Sequence, residues 1–485
     1  MKLSLLALTF SLLLFLNGIV ELQAQISHGI SQLIEESMAS GALWVVQVRK
    51  DDGTLLEDLN GDKLIRPASN MKLITSGAVL DRLGPNFQFE TRLLGRGFAE
   101  NSVWHGDLMI TGSGDPSIDG FFYEGNSLFL FEKWADLLLN AGITQINGNL
   151  IGFDGLFDDQ PYPRGWEWDD LTYYYAPEIS ALSFNSNVVH LEVVADGPVG
   201  SIPRIQWSPF NTPYVEFINE QVITSRGTRF SESYRRFLGT NVILLRSTLP
   251  QGYYESEPLT VSNPSYYFLD TLYRYLELRG IRLDGHIYVN SDYLSLQQRS
   301  KWELLDLHVS KPVHELLSRL NVESDNFYAE MLVKKLGNKV YNSQGTTELG
   351  LKVIREYMHE MGFDTLQVLL RDGSGMAGAN LIQSGDLNRY LLEIQKKEYF
   401  PFFYNTLAIA GVNGTLGHRF PGSKVQGNFF GKTGFISGVR TLSGYLVTGS
   451  GSKLTVTLAT NNFAVRTSHI DHLHQRMLEY LYENY

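Results

Sequence analysis

The chain has 485 residues, 43% of them apolar, a formal charge of −12 and no cysteine. That charge argues against a nucleic-acid partner, whose binders concentrate Lys and Arg; the missing cysteine excludes disulfides, thiol chemistry and a lipid anchored through an N-terminal Cys. At roughly 150 residues per domain the length suggests about three domains.

Met1-Lys2 is followed by the almost wholly apolar run Leu3–Phe15, then a polar stretch and Ala24. A short positive start, roughly a dozen apolar residues and a small exit residue predict a secretory signal peptide over 1–24. Leu22 is not the small residue a cleavage site favours, so a retained anchor is the alternative, although the run falls short of the ~20 residues of a span. No other window approaches that length, and no transmembrane span is expected after cleavage. Trp44-Val-Val-Gln-Val48 with the turn Asp51-Asp52-Gly53 reads as the first strand of a hairpin.

Pro67-Ala-Ser-Asn-Met-Lys-Leu73 follows. Pro67 suits a helix entrance, Met71, Ile74 and Ala78 are spaced for one buried face, and Gly84-Pro85 ends the helix. Ser69 and Lys72 then emerge one turn apart on the same face, as a hydroxyl nucleophile and an amine base require. The helix N-terminus also favours developing negative charge. Alone, S-x-x-K is a weak signal, and a capping serine beside a solvated lysine is the plainer reading.

From about 96 to 300 the chain is rich in short β-like runs, glycine and aromatics, with Trp166-Glu-Trp168 and Tyr173-Tyr-Tyr175 close together. This middle reads as inserted domains, and its aromatics as domain core. Ser324-Asp325-Asn326 precedes an amphipathic helix, Phe327–Val333, where Ser324 and Asn326 can project into a cleft; an N-cap is the plainer reading. Lys432-Thr433-Gly434 ends the strand-like Gly427–Gly431. The lysine offers fixed positive charge, and the glycine offers close approach to a substrate backbone. Arg440–Val447 and Lys453–Thr460 read as paired strands, and Leu473, Met477 and Leu481 as the apolar side of a closing helix. An antiparallel sheet built from both chain ends and flanked by helices is expected.

S-x-x-K, S-D-N and K-T-G occurring in that order are the joint signature of class A β-lactamases and penicillin-binding proteins. Competing motifs fail. Gln426 stands where a phosphate-binding loop before Gly431-Lys432-Thr433 needs glycine, and Asp372 breaks a nucleophile elbow at Gly373-Ser374-Gly375. His469, His472 and His474 read as a polar helix face rather than metal ligands, and no metal site is expected.

With these motifs, and with Gly112-Ser-Gly-Asp-Pro116, Tyr175-Ala-Pro177, Ser180-Ala-Leu182, Asp372-Gly-Ser-Gly375, Asn413-Gly-Thr-Leu416 and Leu442-Ser-Gly-Tyr445, the chain resembles the class C low-molecular-mass penicillin-binding proteins. These are the DacB-type D-alanyl-D-alanine carboxypeptidases/endopeptidases. The interval from Lys72 to Ser324 is several-fold longer than in compact β-lactamases, which is similar to the two inserted domains of that family. The resemblance implies an α+β fold, a penicillin-binding/β-lactamase-like transpeptidase domain over 25–95 and 298–485 carrying two mostly β inserts. One insert spans 96–190 and 265–297, the other 191–264.

It further implies a periplasmic serine D,D-peptidase acting on peptidoglycan stem peptides, inhibited by β-lactams and needing no cofactor. Ser69 resembles the nucleophile, Lys72 its base, Ser324 the proton relay and Asn326 a group that orients substrate and Lys72. Lys432 and Thr433 resemble the residues that meet the terminal carboxylate, with Gly434 and the N–H of Phe435 beside them. The backbone N–H groups of Ser69 and Phe435 are the implied oxyanion donors. Two departures concern substrate choice. Phe435 stands where the family usually has Ser or Thr, and Gly378 where many members carry Arg. Arg419 and Arg440 are the neighbouring groups that could replace that arginine.

Overall fold

The strands predicted at the two ends of the chain pair with each other. In the computed structural model, which describes residues 26–293 and 301–485, Leu43–Lys50 lies antiparallel to Lys453–Asn461 within a six-stranded sheet. The order is Leu55–Leu59, Leu43–Lys50, Lys453–Asn461, Val439–Val447, Phe429–Ile436 and Ala408–Ile409, antiparallel throughout. The expected signal peptide lies outside the described residues. Among those residues no helix is long and apolar enough to cross a membrane.

Helices cover both faces of this sheet, so its central strands are buried almost end to end. The two faces differ in chemistry. On one, Val46, Val48, Leu442 and Leu458 pack against Ile470, Leu473, Met477 and Leu481 of the closing helix, Thr467–Asn484. His474 belongs to the same stripe rather than to a polar face. It is fully buried, sits edge-on to Trp44, and shares a 3.0 Å hydrogen bond between Nε2 and Thr460 Oγ1. Positions 470, 473, 474, 477, 478 and 481 recur at helical spacing, which places His474 inward.

The opposite face carries buried Gln47, Thr441, Ser443, Thr455 and Thr457. It is the face that holds the turn of Ser69. Asn70 Nδ2 donates to Ser443 Oγ at 2.7 Å, and Thr441 Oγ1 to Pro67 O at 2.9 Å. The helix that follows, Met71–Leu83, has every residue from Met71 to Leu80 buried, so it is a central helix and not the one-faced helix its spacing predicts. Helices Val313–Val322, Asn326–Tyr341 and Thr347–Glu360 surround it. Gly77 lets Tyr357 of Thr347–Glu360 and Tyr390 of the helix Ser384–Glu393 close in, since a Cβ there would lie 2.1 Å from Tyr390 Oη and 2.5 Å from Tyr357 Oη. Gly84, at φ 83°, ends the helix as expected.

Between Leu83 and Val313 the chain builds a second body. Its main sheet has seven strands and mixed pairing, with Val103–Thr111 between Glu90–Glu100 (antiparallel) and the short parallel strands Gln145–Asn147 and Leu150–Phe153. Three smaller sheets follow, centred on Val188–Val194 and Val242–Leu245 and on the pair Val222–Thr224 with Thr248–Pro250. Helices Phe129–Asn140 and Pro264–Leu278 seal an aromatic core of Phe131, Trp134, Phe184, Tyr267 and Phe268. The whole is α+β. Side chains fasten this body to the helical layer: buried Lys334 bonds Asp158 and Gln160 O, each at 2.6 Å.

Candidate active site

Ser69 sits in a single 3₁₀ turn, Ala68–Asn70, ahead of the buried helix. Ala68 adopts φ 46°, a left-handed conformation that non-glycine residues hold only where their surroundings dictate it. The dictating contacts are those to Ser443 and Thr441 and the approach of the Lys432 strand. A Cβ on Gly434 would lie 2.1 Å from Thr441 Oγ1 and 3.0 Å from both Ala68 Cβ and Pro67 O. The glycine of K-T-G therefore admits the Ser69 turn against the sheet, a reason different from the substrate approach expected of it. The motif also lies inside its strand, Phe429–Ile436, with Lys432 opposite Ser443 and Gly434 opposite Thr441.

Lys72 is fully buried behind Ser69. Its Nζ donates to Ser69 Oγ at 3.0 Å, to Asn326 Oδ1 at 2.6 Å and to Ser374 O at 2.8 Å. Burial pushes the ammonium down to about 8, against the opposing pull of Asp372, Glu330 and Asp325. Asn326 is oriented from both ends, because its Nδ2 donates to Tyr175 O at 2.8 Å. Ser324, at φ 63°, turns the chain into the helix Asn326–Tyr341, and Asp325 is the cap, accepting from Tyr328 N at 3.1 Å. S-D-N is thus both a helix cap and part of the site. Its helix is buried on all sides over its first turns rather than amphipathic, with Glu330 and Lys334 inside.

Ser69, Ser324, Asn326, Thr433 and Phe435 line one cleft of about 1030 Å³, while Lys72, Lys432 and Gly434 are buried in its wall. Lys432 Nζ donates to Thr433 O at 2.9 Å, and burial, with Lys72 and Arg440 nearby, pushes its ammonium well down. Thr433 Oγ1 donates to Thr415 Oγ1 at 2.8 Å. Phe435 is 55% exposed. Gly378 also lines the cleft, and a Cβ there would meet only Ile436 Cδ1, at 3.8 Å. Of the two candidate arginines, Arg440 reaches the cleft and Arg419 does not line it. Asp471 Oδ1 binds Arg440 Nε at 2.6 Å and Arg419 at 3.1 Å.

Further contributors escaped the sequence reading. Glu330 is one turn along the helix from Asn326, a spacing that could have revealed it; its carboxylate accepts from Ser374 N at 2.7 Å, and burial beside Asp372 pushes it up to about 8. Arg319 clamps Asp325 Oδ2 (2.9 Å) and Asp119 Oδ2 (2.6 Å), joining the S-D-N cap to the insert. Trp166 Nε1 donates to Asp372 Oδ2 at 2.9 Å. Trp168 and Tyr174, 67% and 54% exposed, are surface groups and not the domain core predicted for them; Tyr174 and Tyr175 line the cleft. Among the described residues, the acids close enough to share a metal ion are Glu232, Glu255 and Glu257, none of which lines this cleft.

The chain matches the D-Ala-D-Ala carboxypeptidase 3 (S13) family over residues 22–481. It belongs to that family. It is a serine-type carboxypeptidase and a hydrolase of the penicillin-binding kind. The D-alanyl-D-alanine carboxypeptidase DacB of Haemophilus influenzae is 26% identical over 438 residues, covering 90% of this chain and 88% of that protein. A D-alanyl-D-alanine carboxypeptidase of Actinomadura is 28% identical over 455 residues, covering 90% and 81%. The fold agrees with the crystal structure of Haemophilus influenzae penicillin binding protein 4 (dacB) at a TM-score of 0.81 and 24% identity, over 94% of this chain and 100% of that one. The same protein complexed with a novel β-lactam gives 0.76 at 23% identity, with the same coverage.

Proposed function

We propose that the protein cleaves the D-Ala-D-Ala bond of peptidoglycan stem peptides, and D,D cross-links between them, through an acyl-enzyme on Ser69. The observation that carries this reading is the 3.0 Å contact between Lys72 Nζ and Ser69 Oγ, with the lysine displaced toward neutrality. Neutral Lys72 takes the hydroxyl proton as Oγ attacks the carbonyl carbon. The tetrahedral oxyanion is received by the backbone N–H groups of Ser69 and Phe435, a donor of this kind being worth ~3 kcal/mol of barrier. Collapse breaks the C–N bond, and the leaving amine takes the proton through Ser324. Water, activated along the same path, then hydrolyses the ester and restores Ser69. Asn326 orients Lys72 and the substrate; Lys432 and Thr433 meet the terminal carboxylate.

The same attack on a β-lactam carbonyl leaves an acyl-enzyme that hydrolyses slowly. The β-lactam complex of the Haemophilus influenzae protein supports this extension. The reading includes export to the periplasm with cleavage near Ala24. It divides the mature chain into a peptidase domain, 25–95 and 298–485, and inserts over 96–190 with 265–297 and over 191–264. The first insert's sheet takes in Glu90–Glu100, which begins before 96, and the whole of Glu303–Val309, which lies beyond 297. Incubation with a reporter penicillin and with defined muropeptides, read by mass, tests the reading. A Ser69 adduct and loss of D-alanine or resolution of cross-links are expected. Label elsewhere, or equal labelling of Ser69→Ala, would overturn it.

A further inference from the structure

Lys72 is held from behind by a peptide unit that itself leans on an anion. The carbonyl of Ser374 accepts from Lys72 Nζ at 2.8 Å, and the N–H of the same peptide unit, on Gly375, donates to Asp372 Oδ1 at 2.8 Å. Asp372 and Ser374 are both fully buried. Asn380 Nδ2 donates to the same Asp372 oxygen at 2.6 Å, and Ala377 N and Trp166 Nε1 to the other at 2.6 and 2.9 Å. Each of these bonds to the carboxylate comes from a donor, the hydrogen-bonding complement of an ionised acid. An N–H drawn toward an anion polarises its peptide, which makes the carbonyl at the other end a stronger acceptor.

The turn that carries this peptide is locked to the nucleophile. Gly375 has φ 82°, and a Cβ there would lie 1.8 Å from Ala68 O. Glu330 braces the opposite side of the turn, accepting from Gly373 N at 3.0 Å and Ser374 N at 2.7 Å. Thr75 Oγ1 donates to Gly373 O at 2.7 Å.

We infer that Asp372 is a positioning residue for the base: through the 374–375 peptide it fixes Lys72 Nζ opposite Ser69 Oγ and balances the charge of the ammonium. The inference rests on the assignment of Lys72 as base. Four titratable groups face Lys72: Asp372 from the loop, Glu330 and Asp325 from the neighbouring helix and its cap, and Lys432 from the strand, with burial displacing Glu330 and Lys432 toward their neutral forms. Asp372 is the strongest of those that favour the ammonium, ahead of Glu330 and Asp325.

The test is the pH dependence of acylation by a chromogenic β-lactam, after mass mapping of the adduct in the natural protein. An adduct away from Ser69 would fail the base assignment and not this inference. With Ser69 labelled, Asp372→Asn removes the anion at nearly constant shape, so the ammonium is lost more readily. The acid limb of the rate profile is then expected to move to lower pH by about one unit, a tenfold gain relative to the plateau on that limb. A rate reduced by one factor at every pH, or a limb that moves upward, would overturn the inference. Should Asp372→Asn fail to fold, Trp166→Phe, at a half-buried position, keeps the carboxylate and strips one donor from it. Its less neutralised charge is expected to move the limb upward by a smaller amount; a limb unmoved or lowered would count against Asp372.

Discussion

The two ends of the cleft are built on opposite terms. At the Ser69 end Lys72 has three acceptors, Asn326 is held from both sides, and the 373–375 turn is pinned by Glu330, Asp372 and Thr75. At the other end Gly378 offers no side chain, Phe435 is exposed, and Arg440 is tied back to Asp471. Bond cleavage depends on charges preset where the transition state develops them, so misplacement there is costly. Selectivity depends on groups that can be lost while the chemistry continues. On the proposed function, catalysis belongs to the packed end and substrate choice to the open one.

The largest effect is expected from emptying the packed end. On the proposed mechanism Lys72→Ala removes the base and is expected to slow acylation by ~10²–10⁴ at neutral pH. Stopped-flow acylation with a reporter β-lactam measures this, and circular dichroism checks that the fold persists. Acylation near the natural rate would mean that another base operates and that the crowded contacts serve the fold alone.

A smaller effect is expected from proton concentration. Lys72 acts when neutral, and with its ammonium near 8 the neutral fraction rises with pH. Between about pH 6 and pH 8 the acylation rate is expected to climb about fiftyfold and then to level off. An ordinary lysine would still be climbing well above that range. A rate flat across these values would show that a group other than Lys72 limits the step.

The sequence showed the packed end better than the open one, for a physical reason. Ser69, Lys72, Ser324, Asn326 and Lys432 are recognisable because each sits at a fixed offset within a short local element. Their supports are not local. Asp372 meets Trp166 and Lys334 meets Asp158, and residues so far apart in sequence have no spacing to reveal them. The sequence reading misjudged Trp168, Tyr174 and Tyr175, though not Tyr173, which packs against the insert core, because an aromatic on a surface or in a cleft wall and one in a core read alike along the chain. It misjudged His474 because a histidine on an apolar stripe reads as polar until its Thr460 partner is seen. The strands and the closing helix were legible, their alternation and helical spacing being local properties.

The last prediction concerns the open end and is the smallest. The family resemblance implies an arginine at the Gly378 position that meets a carboxylate on the substrate's side chain, a charged hydrogen bond worth ~1.5–3 kcal/mol. Here nothing at that position supplies it, and Glu167 and Asp170 line the same cleft. Arg440, which lines the cleft with Arg66 and Arg319, is engaged with Asp471 at 2.6 Å. The natural protein is therefore expected to discriminate weakly for a free side-chain carboxylate and to accept cross-linked stem peptides comparatively well. The site has room for the missing group: Gly378 has an ordinary φ, and its Cβ would meet only Ile436 Cδ1 at 3.8 Å. In Gly378→Arg the preference for peptides bearing the carboxylate is expected to rise about tenfold in kcat/KM, with the rate of β-lactam acylation at Ser69 little changed. Matched peptides with and without that carboxylate make the measurement. A tenfold preference already present in the natural protein, and unimproved by the arginine, would mean that Arg440 leaves Asp471 to serve the substrate, and that the open end is more finished than its geometry suggests.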